Sequence, residues 1–385
     1  MQIYFDNSST TKPSPSVVEV IMEALTQCYG NPSSLHRMGV EVERRIKSAR
    51  KQVAKALGTL EQEIVFTSGG TESNNLAIFG TVETHRRKGN TIITTKIEHP
   101  SVLNVFKLLE SKGLKVIYLD VDEHGRINME QLKNSVSEDT ILISIMHVNN
   151  EVGSVQPVDE VGSYLKKKGL STIFHVDGIQ SFGKVPLNPM RLGADLFSLS
   201  GHKFYGPKGI GALYIRKGVR LQPHLYGGNQ ETGMRSGTEN VPGIFGIGVA
   251  AEEISLGLEK HINRMGLIRE SFIRTVKREI EDIKINGSES ENTSPHILNI
   301  SFLGTKGEVL LHLLEQDGIF ISTGSACSAK KEAKSHVLKA MGLRNLEIEG
   351  ALRFSFSYLN TIEEVHYVVE KLKKHVKDLR KIIRR

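Results

Sequence analysis

The sequence predicts an α/β protein with a large, mostly parallel seven-stranded sheet domain and a smaller α+β domain. Short β-branched runs alternate with longer helical patterns, which is typical of a parallel sheet covered by helices. The chain has 385 residues, more than one ordinary core holds, so we expect two packed domains. Hydrophobic residues at 39% and charged residues at 24% are the proportions of a soluble globular protein.

Seven segments between about residues 60 and 215 are predicted to be strands. They are Glu63–Ser68, Thr91–Thr95, Lys115–Leu119, Thr140–Met146, Ser171–Val176, Asp195–Ser200 and Gly211–Ile215. From about Gly257 the pattern changes to a long charged helix, a strand at Ile297–Phe302 and a final helix after Thr361.

This change of pattern predicts where the two domains divide. The large domain is expected over residues 15–257. The small domain is expected over residues 1–14 and 258–385, with the N-terminal segment joining the C-terminal part.

Composition argues against several classes of protein. No apolar run approaches the ~20 residues that cross a bilayer, and the first residues lack the pattern of a secretory signal. The two cysteines, Cys28 and Cys327, are expected as free thiols in a reducing compartment, because one disulfide between such distant positions is the less favoured alternative. They are too few for a zinc ribbon. We therefore predict a cytoplasmic protein without membrane binding or a metal site.

The net charge of +7 is concentrated at the C-terminus. Residues 371–385 contain eight Lys or Arg and one Asp, so the rest of the chain is balanced. This distribution does not favour direct nucleic-acid binding. Apolar residues at helical spacing predict an amphipathic helix with a solvated basic face, and docking of a partner protein is the alternative.

The most informative stretch runs from Ser198 to Gly211 and contains Ser200, His202 and Lys203. Lys203 follows an apolar strand among small residues and glycines, where a partly desolvated amine can form a Schiff base. Ser200 and His202 are placed to donate to a phosphate. The alternative is a lysine on a surface loop.

A second strand end carries Asp177 and Gln180. Asp177 lies 26 residues before Lys203. A carboxylate there can pair with a protonated pyridine nitrogen, and Gln180 can reach a phenolic oxygen of the same ring. Asp177 alone could be a helix N-cap, but Asp, Gln and Lys at strand ends together indicate a pyridoxal site.

Paired glycines followed by a helix start occur at Ser68–Ser73. Gly70 and Thr71 there are predicted to bind an anion through free backbone N–H groups and the helix dipole. The spacing is not that of a P-loop, so a nucleotide is not indicated. Such turns also occur without any ligand.

Two further strand ends supply candidate side chains. His99 could stack on a flat cofactor and move protons, although a structural role is the alternative. Asn150 is a candidate donor to the same ring oxygen as Gln180.

Together these motifs resemble the class V aminotransferase family of fold-type I pyridoxal enzymes, and within it the NifS/IscS-type cysteine desulfurases. The matching segments are Tyr4–Thr11, Gly30–Ser34, Thr67–Asn75, Glu98–His99, Met146–Gly153, Asp177–Ser181, Gly201–Gly211 and Arg235–Asn240. The resemblance implies the aspartate-aminotransferase-like fold, pyridoxal 5'-phosphate as cofactor and a homodimer.

The segment Ser322–Ser328 separates desulfurases from transaminases in this family. The resemblance implies that Cys327 attacks the substrate sulfur and holds it as a persulfide, while an inert buried thiol is the alternative. It also implies that Arg353 binds the carboxylate of L-cysteine with the help of Asn31. Thr71, Ser200 and His202 should hold the cofactor phosphate, together with Thr238 from the partner subunit.

The implied reaction converts L-cysteine to L-alanine. Lys203 removes the α-proton, Asp177 keeps the cofactor ring cationic, Cys327 takes the sulfur, and His99 is a candidate for proton transfer to or from a thiol. A sulfur-acceptor protein, either an iron–sulfur scaffold or a tRNA-thiolation enzyme, would receive the persulfide sulfur. The alternatives are a selenocysteine lyase, another class V enzyme such as a transaminase, and a non-catalytic scaffold.

Overall fold

The computed structural model describes residues 2–324 and 334–383, and helices and strands follow one another along most of this length. Strand β1 (Ile3–Tyr4) and helices α1 (Pro15–Thr26) and α2 (Arg37–Leu57) come first. The next strands are β2 (Ile64–Thr67), β3 (Thr91–Thr95), β4 (Lys115–Leu119), β5 (Thr140–Met146), β6 (Ile173–Asp177), β7 (Leu196–Ser200) and β8 (Gly211–Ile215). The helices between them are α3 (Gly70–His85), α4 (Pro100–Ser111), α5 (Met129–Ser135) and α6 (Val158–Lys168). The C-terminal elements are α7 (Val241–Leu256), α8 (Leu258–Glu279), β9 (Ile283–Asn286), β10 (Ile297–Phe302), α9 (Gly307–Gln316), β11 (Ile319–Phe320), α10 (His336–Ala340), α11 (Asn345–Glu349), β12 (Ala351–Ser355) and α12 (Ile362–Ile383).

The large sheet has seven strands in the order β2-β8-β7-β6-β5-β3-β4. The pairs from β7 to β4 are parallel, and β8 runs antiparallel to both of its neighbours. Every residue of β5 and β6 is buried, as expected for strands covered by helices on both faces. The predicted mostly parallel seven-stranded sheet is therefore confirmed.

One predicted strand boundary needs correction, and it bears on the site. Strand β6 begins two residues later than predicted and includes Asp177, which pairs in register with Met146 and Ser198. Asp177 is thus the last strand residue, and the alternative of a helix N-cap is wrong. The carboxyl ends of β3, β5, β6 and β7 meet at one edge of the sheet, where α/β proteins bind ligands.

A second, antiparallel sheet in the order β12-β10-β9 lies in the C-terminal part of the chain. Ile3 and Phe5 pack in one core with apolar residues of α8, β10, β12 and α12, and β1 pairs with β11. The N-terminal segment therefore packs with the C-terminal elements. The division at residues 14 and 257 remains a prediction.

Within the described ranges no single helix is long and apolar enough to cross a membrane. Helices α7 and α8 are long and apolar enough only when they are taken together, and a bend of 75° separates them.

Candidate active site

A cavity of about 290 Å³ lies at the carboxyl edge of the large sheet. Ten of the residues predicted for the site line it, namely Gly70, Thr71, His99, Asn150, Asp177, Gln180, Ser200, His202, Lys203 and Arg353. Ser8, Ser9, Ser101, Met146, Val148, Ile179 and Gly324 complete the lining. The ten predicted residues come from six separate stretches of sequence. Most of them meet here because parallel strands end at the same edge of the sheet.

Lys203 occupies a 3-10 turn directly after β7. Its Nζ donates to the backbone oxygens of Ser8 and Ser9 at 2.8 and 2.7 Å. The N-terminal segment is fixed against the same turn, because Thr11 donates through both its N–H and its hydroxyl to the His202 oxygen. These contacts hold the lysine amine at the cavity wall.

Asp177 is a buried carboxylate that faces the cavity. Its Oδ2 accepts from Asn74 Nδ2 at 2.8 Å and its Oδ1 from the Ile179 N–H at 3.0 Å. Burial raises the pKa of Asp177, against the opposing effects of these hydrogen bonds and of Lys203. A cationic ring nitrogen bound beside it would stabilise the carboxylate.

The start of α3 forms a cradle in the cavity wall. A Cβ on Gly70 would lie 2.2 Å from Ile179 Cδ1 and 3.3 Å from Ser200 Cβ, so only glycine fits there without displacement. His202 Nδ1 is 3.2 Å from Thr10 Oγ1. Burial, aided by Lys203 and Lys208, lowers the pKa of His202 to about 4. A bound phosphate would reverse part of this effect, since an anion favours the charged imidazole.

His99 is the N-cap of α4, and its Nδ1 accepts from the Ser101 N–H at 3.1 Å. Burial lowers the pKa of His99 to about 4, and the nearby Lys203 and His336 act in the same direction. The imidazole is therefore neutral at pH 7. A role as an acid with a near-neutral pKa does not fit these surroundings, whereas a role as a hydrogen-bond donor does.

Arg353 and Gln180 also line the cavity, and their polar atoms largely bond to protein groups. Arg353 donates to the Asn150 oxygen at 2.9 Å and, through Nη2, to Asp6 and Ser9 at 2.9 and 2.7 Å. Its Nε has no partner among the described residues. Gln180 Nε2 donates to the Ser8 oxygen at 2.9 Å.

Three predicted residues are not among the described residues that line this cavity. Asn31 and Thr238 are exposed and do not line it; their neighbours Pro32 and Glu239 border a separate surface cleft. The described residues of one chain therefore do not bring these two side chains to Lys203. Cys327 lies outside the described residues, so its predicted role is not tested by the geometry.

Comparison with known proteins identifies the family. The model of the family described as aminotransferase class-V matches residues 3–368. A protein of Dictyoglomus turgidum named cysteine desulfurase IscS is 43% identical over 381 residues, covering 99% of this chain and 96% of the relative. A Nostoc protein named cysteine desulfurase is 45% identical over 378 residues, covering 98% of this chain and 94% of the relative. This chain belongs to the class V aminotransferase family, among its cysteine desulfurases.

Solved structures agree with this assignment. A structure titled NifS-like protein superimposes with a TM-score of 0.92 at 41% identity, covering 98% of this chain and all of that one. A structure titled SspA in complex with cysteine gives a TM-score of 0.81 at 35% identity, covering 94% of this chain and 100% of that one. The expected fold is confirmed, and the chain is an enzyme of a family that depends on pyridoxal 5'-phosphate.

Sequence reasoning missed part of the cavity wall. Ser8 and Ser9 belong to the matching segment Tyr4–Thr11, but nothing in that segment predicts that their carbonyl oxygens accept from Lys203. Ser101, two residues after His99, lines the cavity, and the buried Asn74 contacts Asp177. The asparagine pair in Thr67–Asn75 was the available signal, but only the fold shows that Asn74 points at the carboxylate.

Glu98 is a second missed residue, directly before His99. It is fully buried; its Oε1 accepts from Thr95 and from the Met146 N–H, and its Oε2 has no partner within the described ranges. Burial raises the pKa of Glu98 to about 8, with the negative Asp177 contributing. Glu98 is therefore mainly protonated at pH 7.

Metal ligands are not grouped in the part of the chain that the structure describes: no three His, Cys, Asp or Glu side chains lie together there. The expectation of a metal-free site remains a prediction, since it concerns the whole chain.

Proposed function

We propose that this chain converts L-cysteine to L-alanine and holds the sulfur as a persulfide on Cys327. The observation that carries the proposal is the position of Gly324, which lines the cavity with Lys203, Asp177 and Arg353. Gly324 lies only three residues before Cys327. This short separation in sequence supports a role for the Cys327 thiol at the cavity.

The cavity fits pyridoxal 5'-phosphate on the chemistry of its lining. Lys203 would hold the cofactor aldehyde, and Asp177 would pair with the ring nitrogen. Gly70, Thr71, Ser200 and His202 would hold the phosphate, with Asn150 and Gln180 as donors to the ring oxygen and His99 over the ring. When bound, the cofactor supplies an electron sink that makes the α-proton of an amino acid removable.

The reacting groups of the chain have separate tasks. Lys203 takes the α-proton of L-cysteine and returns a proton to the α-carbon of the product. The Cys327 thiolate attacks the substrate sulfur, so that an S–S bond forms as the C–S bond breaks and its electrons go to the β-carbon. Protonation of that carbon completes L-alanine and leaves the persulfide on Cys327.

Arg353 is proposed to bind the substrate carboxylate. Its buried guanidinium presents an Nε–H without a partner among the described residues, whereas Nη2 is held by Asp6 and Ser9. Two-point binding of a carboxylate would therefore have to displace one of these neighbours. Asn31 is proposed to assist Arg353 in binding the carboxylate, although it does not line the cavity of a single chain.

The test compares wild type with Cys327→Ser and, as a matched control, Cys28→Ser. Cys28 is half-buried beside Arg45, with 3.3 Å between Nη1 and Sγ. The protein, purified anaerobically, is mixed with L-cysteine and a reductant, and alanine and sulfide are measured beside the visible spectrum. We expect equal amounts of both products from wild type and Cys28→Ser, and none from a still coloured Cys327→Ser.

Other outcomes would identify the alternatives. Turnover of L-selenocysteine but not of L-cysteine would indicate a selenocysteine lyase. Colour without turnover of either would indicate another class V reaction. Equal activity of Cys327→Ser would remove Cys327 from the mechanism.

The assembly and the acceptor are further parts of the proposal. We propose a homodimer in which Thr238 of one chain reaches the phosphate site of the other, because Thr238 is exposed and away from the cavity of its own chain. An iron–sulfur scaffold or a tRNA-thiolation enzyme in the cytoplasm is proposed to receive the sulfur. The exposed lysines of α12 are a candidate docking face.

A further inference from the structure

A continuous path of hydrogen bonds joins Asp177 to His99 beneath the cavity. Asn74 Nδ2 lies 2.8 Å from Asp177 Oδ2 and 2.9 Å from Ser101 Oγ. Ser101 Oγ lies 2.8 Å from His99 Nδ1. Asn74 is fully buried, and Ser101 is largely buried at the cavity wall, so the path is mostly shielded from bulk water.

The chemistry of the groups fixes the direction of every bond in this path. Asn74 must turn its NH₂ group to Asp177, because its amide oxygen would be repelled by the carboxylate. The second N–H of that group then donates to Ser101 Oγ. The Ser101 O–H donates to His99 Nδ1, because that nitrogen also accepts the Ser101 N–H and therefore carries no hydrogen.

The backbone of α4 adds a second donor to the same nitrogen. The Ser101 N–H also points at His99 Nδ1, at 3.1 Å. A nitrogen that receives two hydrogens carries none itself, so the proton of the neutral ring is on Nε2.

We propose that Asn74 and Ser101 are positioning residues that hold His99 in its Nε2–H tautomer, as a fixed hydrogen-bond donor to an acceptor atom in the cavity. The path passes no proton between Asp177 and His99, because the Asn74 amide that lies between them does not release one. It therefore orients His99 without supplying protons to it. This inference deepens the proposed function by giving His99 a donor role in place of a general base.

Other charged groups near His99 favour the same neutral state. Lys203 and His336, which face it from the turn after β7 and from α10, both disfavour a positive imidazole. Glu98, one residue earlier, directs its Oε1 to Thr95 and Met146. The tautomer is thus decided by Asn74 and Ser101.

The test uses ¹⁵N-histidine NMR at pH 7, with His99→Asn to assign the signals, and steady-state kinetics. Wild type should show a protonated Nε2 and a hydrogen-bonded, unprotonated Nδ1. In Ser101→Ala and in Asn74→Ala, the Nδ1 signal should shift downfield or a Nδ1–H form should appear. The kcat should fall by roughly tenfold to a hundredfold with the KM for cysteine unchanged, and Ser101→Thr should restore both readouts.

Ser73→Ala is the matched control, because Ser73 is a buried serine of α3 bonded to Thr67 and the Ala212 oxygen. It should leave the His99 signals and kcat unchanged. An unaltered Nδ1 signal in both Ser101→Ala and Asn74→Ala would overturn the inference. The NMR readout needs no turnover, so failure of the proposed desulfurase activity would be seen separately.

Discussion

The Ser335 hydroxyl donates a hydrogen bond of 2.5 Å to Glu151 Oε2, across 184 residues of sequence. Glu151 is buried, and a Cβ placed on Gly324 would lie 3.3 Å from the same oxygen. Gly324 and Ser335 are close to the two ends of residues 325–333, which include Cys327. One buried carboxylate thus bonds the chain that follows the segment with the proposed sulfur carrier and lies beside the chain that precedes it.

Ser335→Ala should destabilise the fold measurably. Ser335 is also the N-cap of α10 and accepts from the Leu338 N–H at 3.1 Å, so its loss removes a cap and leaves Glu151 without this donor. We expect a loss of about 1–3 kcal/mol in the free energy of unfolding, measured in urea. The exposed Ser255→Ala should change it by less than about 0.5 kcal/mol, and an equal loss in both variants would contradict this role of Ser335.

Gly70→Ala should weaken cofactor retention while the protein still folds. The new methyl group would meet Ile179 Cδ1, the end of a side chain that can move only by changing the cavity lining. We expect the dissociation constant for pyridoxal 5'-phosphate to rise about tenfold or more, which corresponds to ~1.4 kcal/mol. The binding titration should include Gly266→Ala, whose Cβ would contact nothing within 4 Å. An unchanged affinity in Gly70→Ala would show that this glycine does not shape the phosphate cradle.

Glu98→Gln should remove a pH dependence of stability. Burial raises the pKa of Glu98 from 4.5 to about 8, so the folded state binds a proton that the unfolded state has released between these values. This group therefore lowers wild-type stability as the pH rises from 4.5 to 8, by up to about 1.4 kcal/mol per pH unit. In urea unfolding at pH 5, 6.5 and 8, the free energy of unfolding of Glu98→Gln should increase relative to that of wild type as the pH rises. A constant difference would show that Glu98 is ionised in the fold.

His175→Asn should reduce the loss of stability in acid. His175 is fully buried between Ser144 and Ser198, and burial lowers its pKa from 6.5 to about 3. As the pH falls, the unfolded state therefore binds a proton at His175 before the folded state does. The contribution of His175 to the free energy of unfolding, which is complete above pH 6.5, is lost as the pH falls toward 3.

Unfolding measured at pH 7, 6 and 5 should show a shallower decline for His175→Asn than for wild type, by up to about 1.4 kcal/mol per pH unit. Ser198→Ala keeps the buried imidazole and should keep the wild-type slope. Parallel curves for all three proteins would refute the assignment.

Most of the sheet and most of the cavity could be predicted from the sequence. The β-branched runs lie in the strands that they predict, and Asp177 and Lys203 fall at strand ends on one edge. Asn31 and Thr238 could be matched to the family but not placed at the site, because both are exposed and neither lines the cavity of a single chain.

The sequence alone determined where the strands end to within about a residue or two, because burial imposes an apolar pattern that breaks where the chain turns. Topology then brought those ends together. Only the tertiary structure decided that the Ser8 and Ser9 oxygens hold Lys203, that Asn74 and Ser101 set the tautomer of His99, and that Glu151 reaches Ser335. Such hydrogen bonds join groups far apart in the chain and depend on distances within a few tenths of an ångström, which no local pattern encodes.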